Sequence, residues 1–205
     1  MAAGLRTRRT GSGIVVLALV AGAVAGGASA ASPAVRDTGA PASAARSFVI
    51  DARGSSSGLG RVLRIGDFRP QRDATVAAAR AAFGRPSSRG EGRLACPISW
   101  RAIGVRILFA NLGAGDSACA PRLGRAQVAI VRGRRWRTAK GLRVGATPRR
   151  LREVYPGADR VGARSYRIVT ARGFAGVDRP YAVVSARLSE GRVSSFRLFV
   201  GAAGE

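Results

Sequence analysis

The feature that most constrains this chain is an alternation of apolar and polar residues near its C-terminus. In residues 181–188, Val184, Ala186 and Leu188 fall on one side and Ser185 and Arg187 on the other. In residues 193–200, Phe196, Leu198 and Val200 alternate with Ser195 and Arg197, and Glu190-Gly191 separates the two runs. A period of two sends successive side chains to opposite faces of a strand, and a glycine-containing break between two such runs makes a tight turn. The expected element is an antiparallel hairpin with one wet face and one buried face. The buried face needs a second layer to cover it.

Two short helices can supply that layer. Val76, Ala79 and Phe83 recur at helical spacing within residues 74–83, with Asp73 as the expected N-cap and Gly84 and Pro86 as the stop. Asp67 is expected in a turn. Thr147 followed by Pro148 reads as an N-cap and first helical residue, with Leu151, Val154 and Tyr155 on one face and Pro156-Gly157 as the end. Other extended segments are expected at residues 48–50, 96–112 (broken at Gly104), 126–131 and 165–171. Gly133 is expected to turn the chain back into 134–138, with Trp136 packing across that hairpin. The fold class is α+β: two layers, an antiparallel sheet with short helices across it.

Leu63-Arg64-Ile65-Gly66 is echoed by Leu142-Arg143-Val144-Gly145, and each is followed by a helix and then extended segments. The chain therefore reads as two diverged tandem units, residues 47–125 and 126–203, with chance similarity among common residue types as the alternative. Gly141-Leu142-x-Val144-Gly145, the capped helix with Leu151 and Tyr155-Pro156, and the closing hairpin together resemble small exported actinobacterial proteins. The unit is also similar to the helix-plus-sheet repeats of the β-lactamase inhibitor protein and of outer-membrane assembly lipoproteins of the BamE (SmpA/OmlA) type. Those families act by binding other proteins, so the resemblance, which covers residues 60–200, implies a non-catalytic binding role. The chain departs from the lipoproteins in lacking a lipidated cysteine. It departs from the inhibitor in having one cysteine pair, in the first half.

The N-terminus is expected to direct export. Arg6, Arg8 and Arg9 precede an uncharged stretch at residues 14–27, and Ala28-Ser29-Ala30 has the small-x-small form of a cleavage site. Residues 1–30 are thus the expected signal peptide, and the Ala/Pro/Ser-rich residues 31–46 a flexible linker. The alternative is a retained anchor, because residues 14–31 approach the ~20 needed to cross hydrocarbon. Cys96 and Cys119 both lie beyond this segment. In an exported domain two cysteines suggest one disulfide, here tying a strand to the loop after it. Free or metal-binding thiols are the alternative, with neither a Cys-x-x-Cys spacing nor a histidine to support it. The expected location is extracytoplasmic: secreted, or associated with the cell envelope.

The chain contains no histidine, which removes imidazole acid–base catalysis, the Ser-His-Asp triad and the usual zinc sites. A two-carboxylate site would have to come from 11 scattered acids, of which Asp67 and Asp73 are the closest sensible pair. No catalytic residue, cofactor or metal is therefore assigned. Formal net charge is +24, and Lys140 is the single lysine among 35 Lys and Arg residues. A GC-rich coding sequence accounts for the preference for arginine, but the charge attracts anions whatever its origin, over a Debye length of about 10 Å at moderate salt. The best surface candidate is Arg134, Arg135, Trp136, Arg137 and Lys140, joined by Arg149, Arg150 and Arg152 on the neighbouring helix. The simpler account of these residues is a solvated rim. The functional expectation is an exported, non-catalytic binding or structural protein of the cell envelope. Its partner would be another protein or an anionic envelope component, with membrane contact by an uncleaved anchor or surface electrostatics. The alternatives are a His-free envelope enzyme and a secreted polyanion or nucleic-acid binder.

Overall fold

The computed structural model describes residues 47–53, 62–111, 113, 117–171 and 181–201. The expected signal (1–30), the linker (31–46) and a Ser/Gly-rich stretch at 55–60 lie outside them. The first described strand, β1 (Val49–Arg53), pairs antiparallel with β2 (Val62–Ile65), burying Ile50, Leu63 and Ile65.

Helix α1 (Val76–Phe83) follows, and its start differs from expectation. The N-cap is Thr75, whose hydroxyl accepts the Ala78 amide at 3.1 Å. Asp73 stands two residues earlier and accepts the Thr75 amide at 2.9 Å. Both residue types cap helices, and the one immediately before the first helical residue, the buried Val76, takes the role. Four strands come next: β3 (Ser88–Arg89), β4 (Ala95–Trp100), β5 (Val105–Ala110) and β6 (Arg125–Val131).

After β7 (Arg137–Thr138) the same order recurs. Thr147 caps α2 (Pro148–Val154) by accepting the Arg150 amide at 3.2 Å. Four more strands follow: β8 (Asp159–Arg160), β9 (Ser165–Ala171), β10 (Tyr181–Ser189) and β11 (Arg192–Phe199). The two series correspond residue by residue at their helices. Four positions after each N-cap stand Ala79 and Leu151, both fully buried, and eight after stand Phe83 and Tyr155, also buried. In each series the residue before the N-cap accepts a backbone bond from the second residue of the fourth strand. Ala126 N donates to Ala74 O and Val193 N to Ala146 O, both at 2.8 Å.

Among the described residues the strands form an eight-stranded antiparallel sheet, ordered β3-β4-β5-β6-β11-β10-β9-β8, and a mixed three-stranded sheet, β2-β1-β7. Each series is a meander, and the two meet where β6 pairs with β11. The units expected at 47–125 and 126–203 thus share one sheet, and β6, which begins at Arg125, is by element order the fourth strand of the first series. Register aligns a buried row across the sheet: Trp100, Val105, Val131, Phe196, Ala186 and Tyr166. Helix α1 rests on this face through Phe83, whose ring meets Trp100 at 5.2 Å and Phe68 at 5.8 Å. The opposite face is wet, with Arg106 and Arg197 exposed.

Three further expectations are corrected. Strands β6 and β7 form no hairpin: β7 pairs parallel with β1, Val49 opposite Arg137 and Ile50 opposite Thr138. Both edges of β6 are taken, by β5 and by β11, and beyond Val131 the side of β11 is met by the lead-in to α2 through Gly145 N–Val193 O (2.7 Å) and Val193 N–Ala146 O, so β7 has neither edge to join. Trp136 is consequently not a cross-hairpin residue. Ser195, expected outside, is 5% exposed, and Thr170 is exposed while Ala171 is buried; bulges in β10 against both of its neighbours break the simple alternation there. Phe196, Leu198 and Val200 point inward as expected. Cys96 on β4 and Cys119 in the β5–β6 connection form a disulfide across a sequence separation of 23.

Candidate functional site

Register places the end of β4, the start of β5, the end of β6 and the start of β11 at one end of the large sheet. A 3-10 turn, Arg101–Ile103, joins β4 to β5 and closes on Gly104 at φ +66°. A Cβ on Gly104 would lie 2.4 Å from the Gly133 amide nitrogen, so the two connections pack backbone to backbone only because neither carries a side chain there. Trp136 locks them together. Its indole N–H donates to Ile103 O at 2.7 Å, its amide donates to Gly133 O at 3.0 Å, and the Phe48 ring meets it edge-on at 5.3 Å. With the indole buried beneath, Arg134 and Arg135 stand outward, Arg135 with its guanidinium 5.8 Å from the Phe48 ring centre.

Beside this post the lead-in to α2 bends at Gly145, φ +96°, and is stitched to β11. Between them lies a depression of about 690 Å³ whose lining includes Arg134, Arg143, Arg150 and Arg192, and no acid. Arg192 donates to Gly145 O at 3.1 Å, which holds its guanidinium at the rim. Arg150 is shared with Glu153 at 3.2 Å, as is Arg149 at 3.1 Å. Among the described residues Arg134 and Arg143 have no carboxylate within ion-pair distance. Four guanidinium groups around one concavity repel one another, and an anion that accepts from several of them relieves that repulsion.

The corresponding place in the first series is neutralised. Arg125 opens β6 as Arg192 opens β11, and Asp73 stands two residues before its N-cap as Gly145 does before its own. Arg125 and Asp73 form an ion pair at 3.8 Å. Hydrogen bonds from Thr75, reinforced by the Arg125 charge, hold the Asp73 carboxyl below its ordinary 3.8.

The residues singled out in the sequence are thus distributed as follows. Arg134 and Arg150 are brought together. Arg135 lies next to Arg134 but faces Phe48; Arg137, Arg149 and Arg152 are exposed outside the depression. Trp136, expected among the surface contacts, is 1% exposed and acts from beneath. Lys140 leaves the cluster: its ammonium lies 5.2 Å from the Tyr155 ring centre, in a separate groove of about 490 Å³ lined also by Asp51, Thr138 and Ile168. Burial, opposed by a hydrogen bond with Thr138, pushes the Tyr155 hydroxyl above its ordinary 10.0. Arg143 and Arg192 were not singled out. Their signal was a lone arginine near a glycine turn, Arg143 before Gly145 and Arg192 after Gly191, weak in a chain this rich in both.

Asp67 and Asp73 are both exposed, and Asp73 is engaged with Thr75 and Arg125. Among the described residues no cluster of three or more His, Cys, Asp or Glu could hold a metal ion, and no helix is long and apolar enough to cross a membrane. The disulfide fits an oxidising compartment. Comparison of the chain with protein-family models, with characterised proteins and with solved structures gave no match.

Proposed function

We propose that this is an exported, non-catalytic binding protein of the cell envelope that holds an anionic ligand in the depression between β11 and the lead-in to α2. The observation that carries this reading is the convergence of Arg134, Arg143, Arg150 and Arg192 on one acid-free concavity. Arg192 comes from β11, some forty positions beyond the other three, and those three are separated by turns, so one unbroken arginine run does not explain their meeting. The repeated order of helix and four-strand meander, read as two tandem copies, supports the resemblance to families that act by binding. The disulfide and the leader-like N-terminus support action outside the cytoplasm.

Titration with tripolyphosphate tests the site. Binding should weaken steadily with salt, as charge pairing requires, and Arg134→Ala and Arg143→Ala should each lower affinity about tenfold. Equal binding by wild type and both variants would sink the assignment. Recovery of the protein from cytosol with Met1 attached and both thiols free would overturn the location.

A further inference from the structure

The arginine-lined depression does not end at Arg134. That residue also lines a second depression, of about 420 Å³, which holds Arg101, Arg132 and Arg135 over a floor that includes Ile103 and Gly133. Arg101 and Arg132 in turn line a third, of about 350 Å³, which ends at Arg106. The three adjoin, Arg134 bordering the first two and Arg101 and Arg132 the second and third, and none has an acid in its lining. They follow the end of the large sheet across β5, β6 and β11, with β4 ending beside them. At about 4.8 Å between neighbouring strands, this run extends about 14 Å.

We infer that this end of the sheet is a track for a linear chain of phosphate groups, a reading that rests on the proposed anion site and lengthens it. Length is argued by adjacency: a small anion needs one concavity, and here three stand in a row, each bordered by an arginine of the next. Phosphate is argued by geometry. Arginines reach the first depression from a loop, a helix and a strand, so its ligand must accept from several directions. A tetrahedral phosphate does this with its separate oxygens, whereas a planar carboxylate is met best by one fork in its own plane. The lining argues against nucleic acid. Sequence-tolerant binding of single strands uses open aromatic faces, and the aromatic ring in the track, Phe48, already meets Trp136 at its edge and carries Arg135. Among the described residues the exposed large apolar side chains, Leu94, Leu108, Leu123 and Val161, all lie outside the track lining, which argues against insertion of the track into a bilayer.

The test uses the full exported chain and inorganic phosphates of increasing length: orthophosphate, tripolyphosphate and long-chain polyphosphate, measured by calorimetry across a salt series. Affinity should rise from tripolyphosphate to the long chain. Arg101→Ala with Arg132→Ala should cost the long chain about tenfold or more while leaving tripolyphosphate unchanged, and should lower the salt slope by about two. Arg106→Ala, at the far end and on the wet face, serves if that pair disturbs folding, and should show the same selectivity with a smaller loss. Arg122→Ala, in the connection at the opposite end of β5 and β6, should leave both ligands unaffected. If the long chain binds no tighter than tripolyphosphate, the track falls and the single depression stands. If tripolyphosphate does not bind at all, both fall. A loss from Arg122→Ala equal to that from Arg101 and Arg132 overturns the track in favour of diffuse charge. Tighter binding by polyglutamate or by a single-stranded oligonucleotide of matched charge overturns the choice of phosphate.

Discussion

The starts of β6 and β11 are the same place in two versions. In the first, Arg125 faces Asp73; in the second, Arg192 faces the backbone of Gly145. The first version closes on itself as an ion pair. The second leaves positive charge around a hollow that Arg134, Arg143 and Arg150 deepen. Counted from the N-caps, Gly145 stands where Asp73 does, Arg143 where Gln71 does and Arg150 where Ala78 does, and these differences together separate a structural contact from a candidate binding site. The helices differ in the same spirit. The first sets small Ala79 where the second sets Leu151, and leaves cohesion to the Phe68–Phe83–Trp100 ring contacts and the disulfide.

The sharpest way to break this comparison is at the helices. Leu151→Ala should cost about 2–5 kcal/mol in urea unfolding, because the side chain is fully enclosed, and the reciprocal Ala79→Leu should cost about 1–3 kcal/mol through overpacking. A neutral outcome for Ala79→Leu would mean that the first helix has the same room beneath it as the second. Next, Cys96→Ser with Cys119→Ser should cost about 3 kcal/mol on the loop-entropy estimate. Hydrogen exchange should place the loss mainly in the first meander, since the bond closes a loop wholly within it.

Smaller effects sharpen the equivalence. Thr75→Ala and Thr147→Ala should each cost about 1 kcal/mol, read as matched shifts in melting temperature, if the two caps do the same work. The pH limbs should separate the halves. The lowered Asp73 carboxyl stabilises the fold above 3.8 and loses that contribution as pH falls through its lower folded value. The raised Tyr155 hydroxyl contributes below 10.0 and loses it as pH rises through its higher folded value. Asp73→Asn should therefore flatten the acid limb alone, and Tyr155→Phe the alkaline limb alone. Asp73→Asn should also add weak tripolyphosphate binding beside Arg125, the smallest change expected.

Local pattern carried much of this in advance. Strand β5 follows a strict alternation, β11 follows its own from Phe196 to Leu198, and α2 begins where Thr147-Pro148 says it does. What local pattern could not carry were pairings between distant residues. The parallel pairing of β1 with β7 joins residues some ninety positions apart, and it is this pairing, with the occupied side of β11, that draws Trp136 inward. Asp73 and Thr75 are both capping residues within one turn, so composition alone did not decide between them. The candidate site was half legible. Arg134 and Arg150 stood out within basic runs, but Arg143 and Arg192 stand outside them, and Arg192 reaches the others only because β11 bonds to the lead-in to α2.

The outermost strands of the large sheet, β3 and β8, are two residues long, and each contains an arginine: Arg89 and Arg160. A broad open sheet usually presents a long row of unpaired amides and carbonyls on which another chain can crystallise its own backbone. Here the outermost element at either margin is a stub bearing a cation, a form of edge that discourages such pairing. The molecule can therefore be wide without seeding fibrils, and should stay dispersed at concentrations where an equally broad sheet with full-length margins would precipitate.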